Sequence, residues 1–345
     1  METKMFTAKD LQDAADLIRQ GELVAFPTET VYGLGADALN ETAVKQVYAV
    51  KGRPSDNPLI VHVENFDMVK KYVSNFPKVT QKLVDTFWPG PLTLIFTVKP
   101  ETFSKTVTGG LKTVAFRMPN NQQTINLIKQ AQTPLVGPSA NTSGKPSPTT
   151  AQHVFHDLQG KIAGILDDGA TQIGVESTVL DLTATDGIPI ILRPGAITKE
   201  ALEQVIGEVK VDQHLLSEKE VPKAPGMKYK HYAPDVPVWI IDGDKTIFKQ
   251  AIAQAKKNNK RIGLFADEDI AKHFSNEVDE VFSFGEKSVE NATKLLFAGL
   301  RSLDEKPIDL IFVQAFPERE LGIAYMNRLK KAANQNIFKN NSIFE

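Results

Sequence analysis

Two textures of apolar and polar positions alternate along the first 200 residues. "AKDLQDAADLIRQG" sets apolar residues at helical spacing and ends in glycine, which predicts a helix with a C-cap. "ELVAF" is a short apolar run and predicts a buried strand. The same alternation continues. "ETAVKQVYAVKG" predicts a helix stopped by Gly52, "PLIVHV" a strand, "VTQKLVDTFW" a helix stopped at "PGP", and "LTLIFTV" a strand. "TVAFRMP" predicts a strand, "NQQTINLIKQA" a helix, and "PLVGPSAN" a strand running into a loop. "TTAQHVFHDLQG" predicts a helix capped by Thr149 or Thr150. "IAGILDDG", "STVLDLT" and "PIILRPG" supply further strands, making a mixed α/β body of at least seven.

The texture changes near residue 208. "EVKVDQHLLSEKEVPKAPGMKYKHYAPDVPV" carries four prolines and no apolar period, so it reads as an ordered linker. Beyond it, "VWIIDG", "RIGLFAD" and "IDLIFVQAF" predict strands that alternate with helices over "KTIFKQAIAQAKKNNK", "SVENATKLLFAGLRSLDEK" and "GIAYMNRLKKAAN". Strict alternation implies a parallel sheet flanked by helices. The chain thus divides into a first domain over 8–200, a linker over 201–237 and a second domain over 238–345. No G-x-G-x-x-G follows the second domain's first strand, which leaves a dinucleotide site there unsupported.

Composition narrows the classes. The 345 residues are 41% hydrophobic and 24% charged, with a net charge of -2. Neither half carries a basic excess, so bulk charge does not mark a nucleic-acid module, although a local basic cleft stays open. No cysteine occurs, which removes disulfides, thiolate nucleophiles and thiolate metal sites. The N-terminus has early acidic residues and no apolar core, unlike a signal peptide. No apolar run approaches the ~18 residues of a membrane span. The expectation is a cytoplasmic protein without a membrane partner.

Candidate chemistry gathers on loops that follow strands of the first domain. "FPTETVYGLG" ends a buried strand with Thr28, Glu29, Thr30 and Tyr32, and then a glycine pair, Gly33 and Gly35. Turns use glycine and asparagine but rarely this many donors and acceptors together, which raises the question of what small molecule, if any, these groups meet. "KGRPSDNP" sets Lys51 and Arg53 on a tight turn before Asn57. A point charge beside a guanidinium fork suits a polyphosphate; a solvated helix C-terminus explains the same residues. "VGPSANTSGKPSPTT" holds Ser139, Asn141, Thr142, Ser143 and Ser147 ahead of a helix start, an anion site or an ordinary Ser/Pro loop. Arg117 interrupts an apolar strand and, if buried, requires a partner. Arg193 repeats that pattern in "ILRPG", and "GVEST" places Glu176, Ser177 and Thr178 just before a strand. His62 lies mid-strand, where a lone histidine ordinarily reads as core. His153 and His156 share a helix face without a carboxylate cluster and read as a solvated face.

These stretches resemble one family. "FPTETVYGLG", "KGRPSDNPLIVHV", "WPGPLT", "VAFRMP", "PSAN", "GVEST" and "LRPG" appear in the order and at the spacings of the YrdC/TsaC threonylcarbamoyl-AMP synthases. The family's paired K-x-R and S-x-N correspond here to Lys51, Arg53, Ser139 and Asn141. "APGMKYKHYAP" and the second α/β domain resemble the long, two-domain Sua-type form. The resemblance implies a twisted mixed-sheet α/β domain with a positively charged concave face, like a double-stranded-RNA-binding fold, followed by a smaller Rossmann-like α/β domain. It implies that L-threonine, bicarbonate and ATP give threonylcarbamoyl-AMP and pyrophosphate. Downstream threonylcarbamoyl-transferase proteins would then modify an adenosine beside the tRNA anticodon.

By the same resemblance, Thr30, His62, Arg117, the Gly137 backbone and Ser177 form the threonine site, with Arg117 on the carboxylate. Arg53, Asn57, Thr113, Ser139, Ser147, Arg193 and Tyr229 form the ATP site, with Lys51 and Asn141 completing the motif pair. Lys51, Arg53, Ser139 and Asn141 are the expected catalytic set. Magnesium is expected on the ATP phosphates, not on protein side chains. The linker is expected to fold over the nucleotide as a lid that excludes water. No protein nucleophile is needed, in keeping with the absent cysteine. Two other classes remain: an RNA-binding module without turnover, and the carbamoyl-transferring domain of a maturation enzyme. The latter form carries zinc-finger cysteines and an acylphosphatase-like segment that this chain lacks.

Overall fold

Local side-chain chemistry sets the helix ends. The Asn40 side chain accepts from the backbone N–H groups of Thr42 and Ala43 and so starts helix Glu41–Lys51. Gly52 ends it in the left-handed region, at φ 61° and ψ 36°. Thr150, one of the two expected caps, accepts from His153 N–H and starts helix Ala151–Leu158. The computed structural model describes residues 2–55, 57–212, 222 and 232–339. The chain forms two compact units: Met1–Ser143, Ser147–Gln172 and Glu176–Tyr229 in one, and Gly144–Pro146, Ile173–Val175 and Lys230–Glu345 in the other.

The first unit is a mixed eleven-stranded sheet. In chain order its strands are β1 (Lys4–Phe6), β2 (Val24–Phe26), β3 (Gly33–Asp37), β4 (Ile60–His62), β5 (Leu92–Thr97), β6 (Thr113–Arg117), β7 (Leu135–Val136), β8 (Gly164–Leu166), β9 (Thr178–Asp181), β10 (Ile190–Arg193) and β11 (Lys210–Val211). Their order across the sheet is β1-β8-β2-β3-β7-β4-β6-β5-β9-β10-β11. The alternation of side chains along each central strand gives the sheet two different faces. Val61, Leu94, Phe96, Val114, Phe116 and Leu180 join the main core. The alternate positions Ile60, Ile95, Ala115 and Val179 form a separate small apolar cluster. His62, Thr93, Arg117 and Ser177 share the parity of that second face. The polar candidates therefore extend one side of the sheet, next to an apolar floor.

The second unit is a parallel sheet, as the alternation predicted. It contains β12 (Val238–Ile241), β13 (Ile262–Ala266), β14 (Glu280–Ser283) and β15 (Leu310–Gln314) in the order β12-β15-β13-β14. Helices Lys245–Lys257, Val289–Asp304 and Leu321–Ala332 match the expected ones, and helix Glu268–Phe274 is additional. Strand β14 was not expected from the sequence. It lies at the sheet edge, and its residues alternate between intermediate and exposed positions.

Candidate active site

The turn after β2 is built by Thr28. Its Oγ1 accepts from the N–H groups of Thr30 and Val31 at 3.1 and 3.2 Å and donates to the Val31 carbonyl at 2.7 Å. This turn presents Glu29 and Thr30 together, both buried. Arg117, at the end of β6, meets both of them. Its Nη1 donates to Thr30 Oγ1 at 2.9 Å, and its Nη2 lies 2.7 Å from Glu29 Oε2. The second contact is an ion pair without hydrogen-bond alignment. Arg117 is thus buried and partnered, as its place inside an apolar strand required.

β4 and β6 run parallel with His62 beside Arg117 in register. His62 is buried, and its Nδ1 has no hydrogen-bond partner. Burial pushes the imidazole pKa well below its ordinary value, and the neighbouring Arg117 charge pushes it further, so the ring is neutral. The Phe26 ring stands edge-on to His62 at 5.1 Å between centroids. A Cβ on Gly137 would lie 2.5 Å from Phe26 Cζ and 2.6 Å from His62 Nδ1. Gly33 and Gly35 are required by packing around Phe26. Cβ atoms there would lie 2.7 and 2.9 Å from the Phe26 ring, and 2.5 Å from the Val24 carbonyl oxygen at Gly35. The glycines make room for Phe26, and Phe26 sets His62.

Ser177 enters from the start of β9. Its Oγ lies 2.8 Å from Thr93 Oγ1 and accepts from Arg193 Nη2 at 3.1 Å, while Arg193 Nε donates to the Ser177 carbonyl at 3.1 Å. The neighbouring Glu176 accepts from Ser147 Oγ at 2.5 Å. The paired motifs also meet: Lys51 Nζ donates to the carbonyl oxygens of Ser139 and Asn141. Arg53 Nη2 reaches the Asn57 and Pro58 carbonyls at 3.4 Å. The Asn57 carboxamide is buried, and neither its oxygen nor its nitrogen has a hydrogen-bond partner. Thr113 opens β6, four residues from Arg117 on the same face, or roughly 13 Å along a strand. Tyr229 and the linker segment carrying it lie outside the described residues.

Thr93, which the sequence does not single out, takes part in the site, and so does Glu29, named in the polar turn but assigned to neither substrate. Each had a signal in the sequence: a hydroxyl inside "LTLIF" and an acid inside a buried turn.

The Sua5–YciO–YrdC family model, described as telomere recombination, matches residues 16–195. The chain belongs to this family. A second model, the threonylcarbamoyl-AMP synthase C-terminal domain, matches residues 197–334, so the chain has the two-domain Sua-type arrangement. The threonylcarbamoyl-AMP synthase of Bacillus subtilis (strain 168) is 48% identical over 330 residues, covering 95% of this chain and 94% of that protein. Its counterpart from Pyrococcus abyssi (strain GE5 / Orsay) is 46% identical over 331 residues, 94% of each. The crystal structure of P. abyssi Sua5 complexed with L-threonine matches with a TM-score of 0.90 at 42% identity, over 98% of this chain and 99% of that one. E. coli YciO, at 18% identity and a TM-score of 0.50 over 56% of this chain, shares the family fold.

Proposed function

We propose that this Sua-type chain is a threonylcarbamoyl-AMP synthase. It condenses L-threonine, bicarbonate and ATP into threonylcarbamoyl-AMP and pyrophosphate, a nucleotidyl transfer and the first step of tRNA threonylcarbamoyladenosine formation. The observation that carries this reading is the buried group of Thr30, His62 and Arg117 around the Gly137 backbone, set on the same sheet face as Ser177 and Arg193.

Arg117 takes the threonine carboxylate, and Thr30, the neutral His62 and Ser177 complete the polar lining. The threonine ammonium and bicarbonate give the carbamate, water and a proton. A carbamate oxygen then attacks the α-phosphorus of ATP, and the bond to the β-phosphate oxygen breaks. Such a displacement needs alignment and charge neutralisation, not a protein nucleophile. Arg53 and Arg193 supply positive charge, and Asn57, Ser139, Ser147 and Thr113 supply polar contacts to the nucleotide. Lys51 holds the Ser139–Asn141 loop by its carbonyls and so fixes the phosphate side of the site. Among the described residues, no three His, Cys, Asp or Glu side chains gather as a metal site. The donor set suits magnesium held by the triphosphate itself, where it would neutralise the leaving pyrophosphate.

The product passes to threonylcarbamoyl-transferase proteins, and the chain has the option of touching tRNA directly. Among the described residues, no helix is long and apolar enough to cross a membrane. The cytoplasm, where tRNA is modified, is the proposed location. The test is incubation with ATP, magnesium, L-threonine and ¹³C-bicarbonate, followed by mass spectrometry. An adenylate carrying threonine and one ¹³C is expected; AMP without that adduct would contradict the reading.

A further inference from the structure

Glu29 is 4% exposed, and neither of its carboxylate oxygens accepts a hydrogen bond. Among the described residues, the carboxylate's one polar contact is the ion pair of Oε2 with Arg117 Nη2 at 2.7 Å. A buried ion pair repays its desolvation only when further hydrogen bonds fill the remaining lone pairs. Here those lone pairs stay unfilled, so the turn holds a buried carboxylate that calls for N–H or O–H donors.

The donor must come from something that also suits Arg117. A cation and an anion stand side by side in one buried place, with the Thr30 hydroxyl on the second Arg117 nitrogen. That arrangement is complementary to a zwitterion whose two charges lie a few bonds apart. An α-amino acid has this form: a carboxylate for the guanidinium, and an ammonium with three N–H donors for the carboxylate. A hydroxy carboxylate or a simple carboxylate would satisfy Arg117 and bring no ammonium for Glu29.

We propose that Glu29 receives the α-ammonium group of the amino-acid substrate and thereby selects amino acids over other carboxylates. The inference rests on the threonine site proposed above. After carbamate formation the nitrogen keeps one N–H, which Glu29 still accepts. The competing role is purely structural, with Glu29 doing no more than holding Arg117 in place. The two roles differ in their effect on a ligand that lacks the ammonium.

The experiment is calorimetry on the full chain with L-threonine and with (R)-3-hydroxybutyrate, which keeps the carboxylate, hydroxyl and methyl but lacks the amine. Wild type is expected to bind threonine at least tenfold more tightly than the hydroxy acid. Glu29→Gln keeps the side-chain shape and removes the charge. It is expected to weaken threonine by about 10–100-fold, the range for a charged hydrogen bond, while hydroxybutyrate affinity stays within about threefold. Glu29→Asp should recover part of the threonine affinity. Equal losses for both ligands in Glu29→Gln, or no loss of threonine affinity, would overturn the inference. Should that variant fail to fold, the wild-type comparison decides, because equal affinity for the two ligands overturns the inference by itself. A wild-type chain that binds no threonine would overturn the proposed function instead.

Discussion

Lys51 Nζ donates to the Ser139 carbonyl at 2.5 Å and to the Asn141 carbonyl at 2.5 Å, across 88 and 90 residues of chain. The K-x-R and S-x-N motifs are therefore mechanically joined: the lysine of one fixes the backbone of the other. Lys51 sits in the last turn of helix Glu41–Lys51 and is buried. A methionine at that position would keep the bulk and leave the two carbonyls without this donor. Lys51→Met is expected to destabilise the fold by about 1–3 kcal/mol and to weaken ATP at least tenfold. Threonine affinity should change less. Denaturant titration and separate calorimetry of each substrate check both parts.

Arg117 and Glu29 form the second such joint. Arg117→Gln would leave a buried carboxylate without its countercharge, at a cost of about 3–5 kcal/mol. Combining it with Glu29→Gln removes the stranded charge and should recover much of that loss. Urea unfolding of the two single variants and the double variant forms the cycle. Strict additivity of the two single effects would contradict a buried pair.

His62 makes stability depend on pH. Its folded-state pKa lies well below the ordinary 6.5, because burial and Arg117 oppose the charged form. The unfolded chain takes up a proton below about pH 6.5, and the folded chain does not. The stabilisation is therefore present above pH 6.5 and is lost as pH falls below it. The slope attributable to this residue is up to about 1.4 kcal/mol per pH unit. His62→Gln should flatten the stability profile between pH 6.5 and 5, measured by denaturant unfolding at each pH. Parallel profiles for variant and wild type would assign the neutral ring elsewhere.

Gly137 adjoins the same ring. A methyl group there would lie 2.5 Å from Phe26 and 2.6 Å from His62, with no backbone strain to add, because its φ is outside the left-handed region. Gly137→Ala is expected to lower stability by about 1–3 kcal/mol through overpacking. Displacing His62 should also weaken threonine while ATP binding persists. A crystal structure of the variant with Phe26 and His62 unmoved would contradict this.

What the sequence revealed depended on how local the cause was. The helix over 41–51 was legible because Asn40 and Gly52 cap it within a few residues. The second unit's other three strands were legible from their apolar runs, but β14 alternates intermediate and exposed positions, carries no such run and was not. β3 was hidden because "GLGAD" has no strand-forming bulk. Its glycines are required by the Phe26 ring on the paired strand β2, and that contact exists only after folding. Arg117 announced that it needed a partner; that the partner is Glu29, 88 residues earlier, is a tertiary fact. Ser177 and Arg193 looked like separate motifs until β9 and β10 paired and brought them together.

The most direct test of the proposed chemistry is steady-state pyrophosphate release from ATP by the full chain. Threonine and bicarbonate are each supplied or omitted in turn. Release is expected only when both are present, because the attacking oxygen belongs to the carbamate that they form together. Release that continues unchanged without threonine, or in bicarbonate-depleted buffer, would contradict the proposed reaction.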